Sequence, residues 1–231
     1  MEASLDTAVA DAISEAVLER CGAIPVSTWS DALDGMGIQG VMEGLELRSG
    51  NGRICGPAVT ARQIPGRLGE FAKAEFAVGR LVSAATAGTV LVVDVGGQPI
   101  STLGGLAAYG TQKQGAAGVV IDGACRDVDE IRATGLWLAS RWVAPTTGKG
   151  RLRLLPIGVT VTAGGVTVSQ GDLIVGDETG IVVVPRAVLE EALARAERIM
   201  AVDAEVERRL HAGETFAAAG AATGYLPPPK D

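Results

Sequence analysis

The sequence predicts an α/β protein with a parallel βαβαβ unit at its centre, a β-meander after it and a long helix near the C-terminus. Three observations carry this. Two short apolar runs end in acids, residues 89–94 and 118–122, with a helix-length segment between them. Four Val-rich segments after Pro145 are divided by Gly-containing turns, and residues 187–211 hold one apolar stripe at helical spacing. The 231 residues, 47% apolar and 20% charged with mean hydropathy +0.28, suffice for one sizeable core, so a single domain over 1–231 is expected.

Leu5, Val9, Ala12, Ile13, Ala16 and Val17 repeat at helical spacing, and Gly22 is the expected stop of a helix over 5–21. Ser27 or Thr28 then caps a short helix through Asp34, closed by Gly35 and Gly37. Residues 40–62 read as turns and strand, and 71–85 as helix. The first buried strand ends at Asp94 before Gly96-Gly97. A helix over 104–114 stops at Gly115, and the second strand ends at Asp122 before Gly123. A short helix over 127–134 and a third strand at 136–138 complete the parallel unit. Such units bind ligands at the carboxyl ends of their strands, here 94–97 and 122–127. The meander occupies 159–184, the long helix is expected to dock on its own domain or on a neighbouring subunit, and a tail over 216–231 with Pro227-Pro228-Pro229 is expected to be loose.

Charge and composition exclude several functions. With 20 Lys plus Arg against 27 Asp plus Glu, net charge −7, pI near 4.9 and no basic run, the chain does not suit non-specific nucleic-acid binding. One histidine, His211, leaves no room for a multi-His zinc site or for a Ser-His-Asp triad elsewhere in the chain. Cys21, Cys55 and Cys125 are odd in number and lack CxxC spacing, which fits reduced thiols. With no signal-peptide pattern and no membrane-length apolar run, a cytoplasmic location is expected and no membrane or nucleic-acid partner. There is no GxGxxG and no Walker pattern.

The chemistry concentrates at 122–127, Asp-Gly-Ala-Cys-Arg-Asp. A carboxylate at the mouth of a parallel sheet suits Mg²⁺, which takes one or two carboxylates plus waters and substrate oxygens. An adjacent arginine can clamp a carboxylate. Arg126 beside Asp127 thus reads as an anion clamp next to a metal ligand, or else as a helix N-terminus with Asp127 as cap and Arg126 a surface charge. Gly104, Gly105, Leu106 and Ala107 open a helix, where backbone N–H groups can meet an anion; the alternative is an ordinary glycine turn.

Gly105, twenty residues, Arg126-Asp127, two residues and Glu130 resemble the signature of RraA-like proteins and of the 4-hydroxy-4-methyl-2-oxoglutarate / 4-carboxy-4-hydroxy-2-oxoadipate aldolases, class II pyruvate aldolases. The run 118–132 carries the likeness most strongly. Residues 56–60, 92–94, 171–175 and 180–185 support it, and it extends over about 25–215. The resemblance implies a swivelling β/β/α fold assembled as a homotrimer or homohexamer. It implies Asp127 as ligand of Mg²⁺ or Mn²⁺, Arg126 on the pyruvyl group and its enolate oxygen, and N–H groups of 104–107 on the pyruvate carboxylate. The implied activity is retro-aldol cleavage to pyruvate with oxaloacetate decarboxylation beside it. The alternative within the family is a protein-binding regulator of ribonuclease E without lyase activity.

Where aldolases of this family place an acidic side chain near the substrate, this chain has Gly104-Gly105. An acid from an adjoining subunit's C-terminal helix falls near Asp203 or Glu205. Asp94 is expected as a support of the site or as a turn former, and Asp122 as a brace for the Arg126-Asp127 turn through loop amides. Glu130 is expected to pair with a neighbouring arginine. Lys149, Arg151 and Arg153 read as a solvated basic loop rather than a second clamp.

Overall fold

The computed structural model describes residues 13–225. It opens with α1 (Glu15–Ala23), whose N-cap Ser14 accepts from the Val17 amide, and α2 (Val26–Asp34), which ends at Gly35. The start expected at Leu5 lies outside the described residues. Gly22 does not stop the first helix but lies inside it. The stop is Pro25, which forces the preceding Ile24 into an extended conformation (φ −84°, ψ 130°). Pro25 also precedes the first turn of α2, so Ser27 and Thr28 lie within that helix and do not cap it.

β1 (Glu46–Ser49) and β2 (Ile54–Pro65) follow. The helix expected over 71–85 is broken into a 3₁₀ turn at Lys73–Phe76 and α3 (Val78–Ala84), because Ala77 sits in the left-handed region at φ 44°. Then come β3 (Val90–Asp94), β4 (Ser101–Leu103), α4 (Gly105–Lys113), β5 (Gly118–Cys125), α5 (Val128–Thr134) and β6 (Leu138–Val143). The third strand therefore begins where the expected one ended, and β4 was not expected at three residues. β2, β3, β5 and β6 are parallel neighbours in that order, with Asp94 in register with Asp122.

Alternation along these strands separates two faces. Ala61, Leu91, Val93, Val119 and Ile121 pack with Leu81 of α3, Ala108 of α4 and Ile131 of α5. Ala58, Val90, Val92 and Val120 face the other way, onto a small hairpin. After β7 (Leu152–Leu154), which pairs with β2, that hairpin is β8 (Val161–Ala163) and β9 (Val166–Val168), turned by Gly164 and Gly165 at φ 57° and 83°. β10 (Leu173–Gly176) and β11 (Ile181–Val184) form a second hairpin that adds antiparallel to β2. The expected meander is thus two hairpins in two sheets. Asp172 turns the chain between them, its carboxylate accepting from the amides of Ser169 (2.7 Å) and Arg186 (2.8 Å).

A 3₁₀ turn at Arg186–Val188 leads into α6 (Leu189–His211). Leu189, Ala192, Leu193 and Ala196 bury the first half of its stripe against Trp29 and Leu33 of α2 and the outer face of β10 and β11. The expected loose tail is helical in part: α7 (Phe216–Thr223), capped by Thr215, packs against α6, and residues 226–231 lie outside the described residues. Among the described residues no helix is long and apolar enough to cross a membrane.

Candidate functional site

A cleft of about 840 Å³ opens where β5 passes into α5. α3 supplies Val78, Gly79, Val82 and Ser83. The start of α4 supplies Gly104, Leu106 and Ala107, the β5–α5 junction Arg126, Asp127 and Glu130, and loop 146–150 Thr147 and Lys149. Phe76, Ser101 and Thr102 complete the lining.

The junction is set by backbone geometry. The Arg126 amide donates to the Leu103 carbonyl at 3.0 Å, and Asp127 then takes the left-handed conformation (φ 55°, ψ 45°). Aspartate tolerates that region better than most side chains, and the reversal brings its carboxylate back toward α4. Asp127 Oδ2 accepts from the Gly105 amide at 3.3 Å and stands 3.5 Å from Arg126 Nε. Both side chains remain more than one-third exposed to the cleft. The Arg126 Nη groups make no hydrogen bond among the described residues.

Two glycines make room for this arrangement. A β-carbon on Gly104 would collide with Asp127 Oδ2 and lie 3.0 Å from Arg126 Nε. One on Gly105 would overlap the Glu130 carboxylate and lie 2.6 Å from Glu130 Cβ. Gly105 is buried behind Glu130, which therefore packs on the first turn of α4 instead of pairing with an arginine as expected. That turn leaves the Leu106 and Ala107 amides without intrahelical acceptors, a ready anion site beside Arg126.

The structure brings together Arg126, Asp127, Glu130 and residues 104–107, and it places the other candidates elsewhere. The first strand end, 94–97, does not line the cleft. Asp94 is buried, accepts from the Gly96 amide at 2.7 Å and pairs with Arg62 at 3.6 Å. Asp122 does not brace the Arg126-Asp127 turn. It receives Arg141 Nε at 2.6 Å and the Gly164 amide at 2.9 Å, which ties β6 and the β8–β9 hairpin together. That hydrogen bond holds Arg141 above its ordinary pKa. The reason is the strand alternation: Asp94 and Asp122 follow Val92 and Val120 onto the hairpin face, whereas the cleft opens on the helix face.

Asp203 and Glu205 lie on α6 and do not line the cleft of their own chain. Asp203 shares a second cleft, about 820 Å³, with Asp31, and partial burial followed by that neighbour's charge raises its carboxyl above the usual range. Glu205 is held by Arg208 and Arg209, whose hydrogen bonds lower it to about 2. His211 stands 3.7 Å from Glu207. The α3 wall and Lys149 were missed as cleft residues. The polar run Thr146-Thr147-Gly148-Lys149 just beyond the end of β6 was the available signal.

A family model described as RraA-like, Aldolase/RraA, matches residues 26–183. The chain belongs to the RraA-like family. A relative from Halalkalibacterium halodurans, provisionally named 4-hydroxy-4-methyl-2-oxoglutarate aldolase, is 31% identical over 188 residues, covering 81% of this chain and 85% of its own. An uncharacterized protein from Pseudomonas syringae superposes with TM-score 0.81 at 27% identity, covering 91% of this chain and 95% of that one. Streptomyces coelicolor RraAS2, described as an unusual member of the RNase ES inhibitor RraA protein family, superposes with TM-score 0.73 at 25% identity over 88% of this chain and 99% of its own.

The RraA-like cleft also has donor chemistry that fits a hard divalent cation. Asp127 and Glu130 offer carboxylate oxygens on one wall, and no group of three or more His, Cys, Asp or Glu side chains suited to a metal occurs among the described residues. Two carboxylates that leave positions for water and substrate oxygens suit Mg²⁺ or Mn²⁺ and do not make a closed zinc site.

Proposed function

We propose that this chain is a cytoplasmic, divalent-metal-dependent carbon–carbon lyase. Its substrates would be acids of the 4-hydroxy-4-methyl-2-oxoglutarate and 4-carboxy-4-hydroxy-2-oxoadipate type, cleaved to pyruvate, with oxaloacetate decarboxylation as a companion activity. The observation that carries this is the placement of Arg126 and Asp127 side by side at the open N-terminus of α4. Mg²⁺ or Mn²⁺ held by Asp127, with Glu130 near, would supply Lewis-acid stabilisation of negative charge on the pyruvyl group.

The chain's own residues do the rest. The substrate carboxylate docks on the Leu106 and Ala107 amides. In retro-aldol cleavage a water in the open cleft takes the C4 hydroxyl proton, and C4 becomes the carbonyl of the departing 2-oxo acid as the C3–C4 bond breaks. That bond's electron pair forms the C2–C3 double bond while the C2 carbonyl pair moves onto its oxygen, giving the enolate of pyruvate. Arg126 donates hydrogen bonds to that oxygen as its charge grows, an oxyanion role whose loss costs about 10²–10³ in rate. Protonation at C3 then releases pyruvate. Decarboxylation of oxaloacetate uses the same enolate and needs no base at C4, so it should be the more tolerant activity.

The reading includes a homotrimer or homohexamer, supported by exposed Leu106, Tyr109, Trp142 and Val143 on α4 and β6, and an acid from a neighbouring copy's α6 could then reach the cleft. Pyruvate release coupled to lactate dehydrogenase tests the chemistry, with each substrate offered separately. Release that is lost with EDTA and in Arg126→Ala is expected. Metal-independent release, or none from either substrate, overturns the reading and favours a protein-binding role such as inhibition of ribonuclease E.

A further inference from the structure

We infer that Lys149 determines substrate choice in this cleft: its ammonium group receives the carboxylate carried on C4, at the end of the substrate away from Arg126. The inference rests on the lyase reading and adds to it the residue that recognises the second acid group.

The basic trio that looks like one solvated loop in the sequence separates in the structure. Arg151 Nη1 donates to the Thr147 carbonyl at 3.2 Å, and the Arg153 guanidinium lies over the Phe71 ring, 5.0 Å from its centroid. Lys149 alone of the three lines the cleft, and its ammonium has no hydrogen bond or ion pair among the described residues.

Its backbone is not free to drift. The Thr146 carbonyl accepts from the Ser101 amide at 2.9 Å, Thr147 bridges to Ser101, and the Lys149 amide donates to Thr147 Oγ1 at 3.3 Å. Gly148 is packed so closely on Phe76 and Leu152 that a β-carbon would not fit. The loop is therefore a fixed mount for a flexible, unpaired cation on the rim of the cleft.

Charge placement gives the cation a purpose. The titratable groups lining the cleft are Arg126, Asp127, Glu130 and Lys149. Asp127, Glu130 and Arg126 gather at the start of α4, where the pyruvyl end binds. A keto acid with one carboxylate uses that end only. A keto acid with two must seat a second charge, and among the described residues Lys149 is the cleft-lining cation besides Arg126. An ammonium can follow such a group without fixed geometry, as a point charge on a long stem.

The test compares 2-oxoglutarate with 2-oxopentanoate, which has a methyl group in place of the distal carboxylate and is otherwise the same. Neither has a C4 hydroxyl, so neither undergoes retro-aldol cleavage, and binding is read directly by calorimetry with Mg²⁺ present. Wild type should bind 2-oxoglutarate at least about tenfold more tightly, as expected for a charge-assisted hydrogen bond. Lys149→Met should lose that preference while binding 2-oxopentanoate as before, and Lys149→Arg should restore most of it. A preference unchanged in Lys149→Met, or absent from wild type, overturns the inference. Failure of the lyase reading is distinguishable, because it shows as absent pyruvate release by wild type whatever the binding ratio.

Discussion

Gly105→Ala tests the packing between the first turn of α4 and α5. The new β-carbon would stand 2.6 Å from Glu130 Cβ and 2.8 Å from Glu130 Cδ. Carbon atoms in contact prefer about 3.5–4.0 Å, so the two helices must separate by about 1 Å or Glu130 must leave its place. Overpacking of this kind costs about 1–3 kcal/mol. Alanine regains up to about 1 kcal/mol over glycine in a helix, so the net loss is about 0–2 kcal/mol. Activity responds differently. Separation of α4 from α5 carries Asp127 and Arg126 away from the Leu106 and Ala107 amides, and a displacement of about 1 Å can cost about 10²-fold. The expected variant is folded, with a thermal midpoint a few degrees lower, and its kcat/KM for pyruvate release is reduced about 100-fold. Gly105→Ala with wild-type kcat/KM would refute the claim that this close approach positions the site.

Other expectations concern stability and titration. Asp122→Ala should destabilise the fold by about 2–4 kcal/mol, because it strands Arg141 and the Gly164 amide; a loss of unfolding free energy below about 1 kcal/mol in urea titration contradicts the structural role. Asp203 has its pKa raised in the fold, so its ionisation opposes folding above the unfolded value and has no effect below it. Asp203→Asn should therefore raise the thermal midpoint at pH 7 and leave it unchanged at pH 3. The Cys55 thiol is pushed up by its hydrogen bond with Cys21 and then by burial, the Cys125 thiol by burial, and Cys21 is fully buried. Alkylation of the native chain at pH 7.5 should be at least about tenfold slower than in urea, and rapid labelling of any one cysteine would contradict this packing.

The sequence was most legible where local chemistry and burial agree. Wholly apolar runs around Val92 and Val120 could only be buried strands, and the Arg126-Asp127 pair after the second run drew attention by position. Legibility failed where distance along the chain hid the partner. Asp122 looks like a support for Arg126-Asp127 because it is five residues away, yet strand alternation turns it to Arg141 and Gly164 on the opposite face. Glu130 looks like the partner of a neighbouring arginine until the absence of a side chain at Gly105 is seen to make room for it on α4. Pro25 rather than Gly22 ends α1, because a restriction on the preceding residue acts more strongly than a glycine that the helix tolerates. The α3 wall depends on Ala77 at φ 44°, a strained alanine that no composition rule flags.

The two faces at the end of β5 have a consequence for how this chain tolerates change. Asp122 on the hairpin side holds sheets together, and Asp127, five residues later on the helix side, holds none. A library randomised across 122–130 and sorted first for abundance, then for turnover, should therefore split into two nearly separate sets of depleted positions. Asp122, with the buried Cys125 of the helix-side core, would fall in the set a cell must keep to have the protein at all. Arg126 and Asp127 would fall in the set it must keep for the protein to act, and catalytic scope could be re-selected there with little loss of yield.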